Sequence, residues 1–243
     1  MAPEREPKAW PGTDRRRPPI GTPQWVVREP LARWVEGEAR SSHARVGRLR
    51  VLDVGCGVKP YYPFFEPYAE SYVGVDVVPN PAAELLGAVE ALPVADASFD
   101  VVLCNQVLEH CADPALAVRE LRRVTAPGGR VLASTHGVQV YHPSPDDLWR
   151  WTHAGLERLF AGNGSWETLN VVPGAGTAAC LAMLLGGYVD LAAKQIGLRR
   201  PARLIVSGLN RGSRAIDARS ARLRNPVPGT LFANYHVTAQ APS

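Results

Sequence analysis

Four short strand-like runs, VLDVG (51–55), SYVGVDV (71–77), FDVVLCN (99–105) and GRVLAST (129–135), alternate with stretches of helical periodicity. A chain that alternates in this way covers both faces of a sheet by crossing over it after each strand, which makes the strands parallel. The expected fold class is therefore α/β and doubly wound. Between the third and fourth runs, Asp113 and Pro114 supply a cap and a first helical residue, and Leu116, Val118, Leu121 and Val124 mark a buried side. Pro127-Gly128-Gly129 is expected to end that helix. Thr152 predicts the cap of a helix through Phe160, followed by strand candidates WETLNVV (166–172) and LFANYHVTA (231–239). Upstream, Thr22 and Pro23 open a helix whose apolar face holds Trp25, Leu31, Trp34 and Val35.

Two segments fall outside this pattern. Residues 1–22 carry Pro3, Pro7, Pro11, Pro18 and Pro19 with Arg15, Arg16 and Arg17, and they lack apolar periodicity. Nothing there offsets the entropy of ordering, so a flexible tail is expected before a single domain at 23–243, although its end can fold over a ligand. Roughly fifty residues separate the last two strands, where a short hairpin would do. This predicts a helical insertion at about 174–225, apolar from Gly174 to Val189 and then rich in arginine. A membrane span needs about 20 apolar residues, so no transmembrane segment is expected. A buried or dimer-forming helix is the first reading and a membrane-surface element the second.

The net charge of +4 is unevenly placed. Residues 1–22 hold five basic and three acidic groups, 23–189 hold 13 and 18, and 190–243 hold nine and two. The body is acidic, so the excess of arginine describes the appendages and no nucleic-acid partner is expected. Cys56, Cys104, Cys111 and Cys180 form no C-x-x-C pair and the N-terminus has no apolar leader, which fits a reducing cytoplasm.

The first run continues as VLDVGCGVKPY (51–61), with Asp53-x-Gly55-x-Gly57. Glycines at a strand's C-terminal end allow a tight turn and let a ligand approach the backbone, and the aspartate can bind a cationic or hydroxylated group. Asp76 ends the next run, where a carboxylate can accept from both ribose hydroxyls of a nucleoside. A nicotinamide dinucleotide would require a third glycine where Pro60 stands, which disfavours a dehydrogenase.

From about residue 49 to 160 the chain resembles the class I S-adenosylmethionine-dependent methyltransferases. The likeness is carried by the VLDVGCG turn, Asp76, EALPVADASFDVV (90–102), Leu108-Glu109-His110 followed by Asp113-Pro114, and LRRVTAPGGRVLAST (121–135). It implies a Rossmann-like, seven-stranded, mostly parallel sheet with an antiparallel last strand, and S-adenosyl-L-methionine as cofactor. It also implies that Gly55 and Gly57 lie beside the methionine part, that Asp76 holds the ribose, and that Asp53 and Tyr61 belong to the cofactor site. Val89 and Glu90 would face the adenine, Asn105 and Gln106 would lie near the sulfonium, and His110 would close the pocket. Many relatives carry an aspartate for the adenine amino group where this chain has Ala88, which leaves the adenine to backbone groups or Glu90.

Methyl transfer needs a nucleophile about 3 Å from the methyl carbon with water excluded, and a hydroxyl acceptor benefits from a base. The loop after the fourth strand run holds His136 and an H-x-x-P-x-D-x-x-R-W-T string from His142 through Pro145, Asp147, Arg150 and Trp151 to Thr152. That string resembles one in bacterial methyltransferases of polysaccharide and surface-sugar synthesis. It implies an O-methyltransferase for a small hydroxylated acceptor, a saccharide. His142 can act as base with Asp147 holding its tautomer, and His136 is a second base. The competing readings are an Asp147–Arg150 ion pair with His142 capping the loop, and Trp149 and Trp151 either stacking on a sugar or filling core. Glu109, His110 and Asp147 match no metal motif, so no metal is expected. Other functional readings are a lipid-linked or quinone-like acceptor at a membrane surface, a nucleic-acid-modifying protein, and a silent scaffold that dimerises through the insertion.

Overall fold

The computed structural model describes residues 10–143 and 146–243; Pro145 of the loop string and the first nine residues of the expected tail lie outside the described residues. The strands are β1 (Leu49–Val54), β2 (Ala69–Asp76), β3 (Leu85–Leu86), β4 (Phe99–Asn105), β5 (Thr125–His136), β6 (Thr168–Pro173) and β7 (Asn234–Gln240). They form one seven-stranded sheet in the order β3-β2-β1-β4-β5-β7-β6. All neighbours are parallel except β7, which runs antiparallel to both β5 and β6. This is the expected Rossmann-like sheet, and reversal at β4, beside β1, puts the topological switch point at the ends of β1 and β4.

Helices cover both faces. They are α1 (Thr13–Arg16), α2 (Trp25–Val46), α3 (Tyr62–Phe65), α4 (Pro114–Val124), α5 (His153–Asn163), α6 (Thr177–Gln195), α7 (Arg199–Arg219) and α8 (Ala221–Arg224). On one face Leu52, Val54, Val102 and Cys104 pack with Val118 and Leu121 of α4 and Phe160 of α5. On the other, Val51, Val101, Leu103 and Leu132 pack with Leu31, Val35 and Ala39 of α2. The expected caps are formed: Asp113 Oδ1 accepts from Leu116 N (3.0 Å) and Thr152 Oγ1 from Gly155 N (3.1 Å).

Three local expectations change. Helix α2 starts at Trp25, because the Thr22 hydroxyl donates to Pro19 O (2.8 Å) and closes a turn instead of capping. Pro127-Gly128-Gly129 is a kink inside β5, with a register shift between Phe99 and Val101 on β4 and Gly128 at φ 68°. Residues 10–22, expected as tail, pack on the glycine turn. The Trp10 ring lies 4.4 Å from that of Tyr62 and its Nε1 donates to Lys59 O (2.8 Å), while the Arg16 guanidinium donates to Pro60 O. One tryptophan and one multi-donor arginine supply contacts that a low apolar content conceals.

Between β6 and β7, α6 and α7 form a hairpin docked on the start of α2. Ala179, Cys180 and Met183 pack against Trp25, Val26 and Val27. Gly176 precedes α6 without a capping side chain, and Asp217 of α7 replaces it, accepting from Ala178 N (3.0 Å) and Ala179 N (2.9 Å).

His236 on β7 is buried and stacked on Trp34 with ring centroids 4.7 Å apart, and burial pushes its imidazole down to about 3. A folded-state value below the unfolded one of about 6.5 means that the unfolded chain binds the extra proton, so this stability is present above about pH 6.5 and is lost as pH falls toward 3. His236→Phe is expected to flatten the fall in melting temperature between pH 6.5 and 4. Equal slopes for both proteins would remove His236 as the cause.

Candidate active site

A cleft of about 640 Å³ opens at the C-terminal ends of β1, β2 and β4, within the range of small-molecule sites. The turn after β1 shapes its floor. Gly55 and Cys56 both donate to Val75 O (2.8 and 3.1 Å), which folds the chain back over the end of β2. Gly55 sits at φ 65°, and a Cβ there would lie 2.4 Å from Val107 Cγ2. Gly57 sits at φ 50° with nothing within 4 Å of its Cβ position, so its backbone faces open space. Lys59 takes the next left-handed position, at φ 50°, and its buried ammonium meets both Glu84 oxygens at 2.5 Å.

Asp76 stands where the sequence places it, at the cleft end of β2. Its Oδ2 accepts from Gly57 N (2.9 Å) and its Oδ1 from Val78 N (3.2 Å), which fixes the carboxylate against the turn. Asp53 is buried, accepts from Tyr72 OH (2.7 Å), and is pushed up to about 7 by that burial. Tyr61 and Val89 are buried in the cleft wall. Asn105, at the end of β4, lines the cleft with both amide atoms buried and without a partner among the described residues. An amide in that state at a cleft wall leaves its hydrogen-bonding groups open to a ligand or to water.

Two predicted ligand residues have other partners. Gln106 adopts φ 59° and turns its amide Nε2 to Ser134 Oγ (3.1 Å) and Asn234 Oδ1 (3.0 Å), so it braces β4 against β5 and β7. Glu90 Oε1 accepts from Ala112 N (2.9 Å), tying the turn at Val89 and Glu90 to the loop before α4.

Another part of the cleft is walled by three histidines and one buried acid. His136, which ends β5, is buried with Nε2 3.3 Å from Glu109 Oε1. Glu109 is wholly buried and its Oε2 accepts from Thr135 Oγ1 (2.8 Å). Burial pushes the Glu109 carboxyl up and the His136 imidazole down to about 3, because a low dielectric disfavours either charge. His136 is therefore a poor proton acceptor, contrary to its expected role as base. His110 Nδ1 donates to Asp146 O, since a carbonyl only accepts. The His142 ring centroid lies 5.9 Å from that of His110 and 6.4 Å from that of His136.

Asp147 does not hold the His142 tautomer. Its carboxylate takes both Arg150 nitrogens (2.5 and 2.6 Å) and the backbone N of His142 (2.8 Å), and the guanidinium keeps it far below the usual carboxylate range. Trp149 and Trp151 stack on each other at 5.6 Å, and Trp149 Nε1 donates to Cys111 O (2.7 Å). The H-x-x-P-x-D-x-x-R-W-T string thus builds the loop that presents His142. Among the described residues no trio of His, Cys, Asp or Glu is arranged to hold a metal ion.

Sequence reasoning missed the outer wall. Arg15, Gln24, Val27 and Arg28 line the cleft, and Gln24 Nε2 donates to Gln139 Oε1 (3.3 Å) across it. Trp10 and Arg16, which seat this segment, were the available signal.

Residues 52–133 match the model of a family described as a methyltransferase domain. Malonyl-[acyl-carrier protein] O-methyltransferase of Erwinia pyrifoliae is 44% identical over 110 residues, a match that takes in 41% of this chain and 42% of that protein. A protein of Mycolicibacterium smegmatis described as a "probable S-adenosylmethionine-dependent methyltransferase" is 34% identical over 169 residues, 62% of this chain and 65% of that one. Among solved structures, the [4+2]-cyclase SpnF superposes with a TM-score of 0.54 at 19% identity, covering 87% of this chain and 81% of that one. A shared fold spans different reactions, so the chemistry is carried by the site.

Proposed function

We propose that this chain, whose residues 52–133 carry a class I methyltransferase domain, is an O-methyltransferase that uses S-adenosyl-L-methionine and methylates a small acceptor held against the three-histidine wall. The carrying observation is the cleft floor: an open glycine turn at Gly57, the fixed carboxylate of Asp76, and the partnerless buried amide of Asn105. These suit an aminoacyl chain, a ribose and a polar group near the sulfonium, respectively. When bound, the cofactor supplies a methyl group on a positively charged sulfur, open to in-line attack. Gln24 and Gln139 narrow the cleft and exclude water, and the Asp147–Arg150 pair holds His142 at the mouth. His142 takes the acceptor's proton, while buried His136 and Glu109 shape the wall against which the acceptor lies. Calorimetric titration with S-adenosylhomocysteine tests the cofactor assignment; folded protein that binds none overturns it.

The acceptor class follows from the need for a base. A hydroxyl, of which a saccharide is one source, requires proton removal, and His142→Ala is expected to lower kcat about 100-fold with unchanged S-adenosylhomocysteine affinity. A carboxylate acceptor is the second reading, favoured by Arg15 in the cleft wall and by the relatives described as acting on malonyl-[acyl-carrier protein], since a malonyl group carries a carboxylate. That acceptor needs no base, so His142→Ala would leave kcat within about twofold.

A further inference from the structure

The α6–α7 hairpin carries an apolar surface that the core does not use. At its tip, residues 196–205, Ile196, Leu198, Leu204 and Ile205 are exposed, Leu204 at 76% and Ile196 at 68%. The exposed stripe continues along α6 through Leu191, Tyr188, Leu185 and Leu181, at spacings of three and four residues, while Ala179, Cys180 and Met183 on another face pack against α2. Arg199, Arg200 and Arg203 stand among the tip residues and Arg211 lies farther along α7. The sequence contains no acidic residue from 191 to 216, and Asp190 is tied to Lys194 at 2.7 Å.

We propose that this hairpin tip docks on an anionic lipid surface. Charge complementarity selects that occupant. A second copy meeting the same face across a two-fold axis would bring one arginine cluster against the other. A nucleic acid would match the arginines but leave Leu204 and Ile205 in water. A lipid surface accepts both, taking apolar side chains to a depth of about 5–10 Å and pairing anionic headgroups with the arginines around them. By length and composition α6 is also apolar enough to cross a membrane. Crossing would strip Ala179, Cys180 and Met183 from α2, so the helix lies along the surface with its exposed stripe. The same hairpin supports the wall of the cleft: Asn210 Nδ2 donates to Ile20 O (2.7 Å) and Thr22 O (3.0 Å) just before α2. The proposal rests on the hairpin alone and stands whether or not the cleft transfers methyl groups.

Co-sedimentation of the full chain with vesicles of phosphatidylcholine, and of phosphatidylcholine mixed with phosphatidylglycerol, tests it. The protein is expected to pellet with the anionic vesicles at low salt and to be released at high salt. Leu204→Ser with Ile205→Ser is expected to weaken binding about tenfold or more. Arg199→Gln and Arg200→Gln are expected to weaken it about fivefold each. All of these side chains are exposed, so the variants should keep the wild-type melting temperature. Folded protein that ignores anionic vesicles, or a Leu204/Ile205 variant that binds equally well, overturns the proposal. A concentration-dependent dimer that the same variant dissolves, without vesicle binding, overturns it in favour of a second copy.

Discussion

Alanine at position 55 is expected to lower stability by about 2–5 kcal/mol and to abolish S-adenosylhomocysteine binding. Two costs combine. Gly55 holds φ 65°, where a Cβ is strained by about 1–2 kcal/mol. That Cβ would also lie 2.4 Å from Val107 Cγ2, and relieving such an overlap typically costs about 1–3 kcal/mol. Val107 is β-branched and stiff at χ1, so the relief comes from moving the segment after β4, which follows Asn105 and carries Glu109 and His110 into the cleft. Gly57→Ala separates the two effects. Position 57 bears the strain, at φ 50°, but meets nothing within 4 Å, so its stability loss should stay near 1–2 kcal/mol, the order expected for left-handed strain alone. Its methyl group would still enter cofactor space and weaken binding. Denaturant melts and calorimetry on both variants check this, and a Gly55→Ala protein with an unchanged midpoint would remove the contact with Val107 from the account.

Asp76→Ala is expected to weaken S-adenosylhomocysteine binding by at least about 100-fold, because two hydrogen bonds to a charged acceptor are worth about 1.5–3 kcal/mol each. The carboxylate is already oriented by Gly57 N and Val78 N, so little ordering is left for the ligand to impose. Asp76→Asn keeps one acceptor oxygen and loses the charge, and an intermediate loss of about tenfold is expected. Affinity unchanged in both variants would show that the ribose lies elsewhere. Binding restored in Asp76→Asn but not in Asp76→Ala would assign the role to the hydrogen-bond geometry more than to the charge.

Most of the sheet was legible in the sequence. Buried parallel strands read as continuous apolar runs and their glycine turns and caps are local, so VLDVG, FDVVLCN, Asp113 and Thr152 announce themselves within a few residues. The two-residue β3 has no such signal, since a strand that short is defined by its pairing to Val75 and Asp76. Residues 10–22 failed for a related reason: their order depends on Tyr62, Lys59 and Pro60, nearly fifty positions away.

The glycine-turn side and the histidine side of the cleft differ in the same way. Gly55, Gly57 and Asp76 follow from the sequence alone, because strand ends and tight turns fix where those groups point. The chemistry of the other wall was decided by tertiary contacts. Burial takes His136 out of the range of a useful base, and Arg150 captures the carboxylate that the sequence offered to His142. Protonation and partner choice depend on dielectric and on distances across the chain, and those exist only once β5, its following loop and the turn after β4 have packed together.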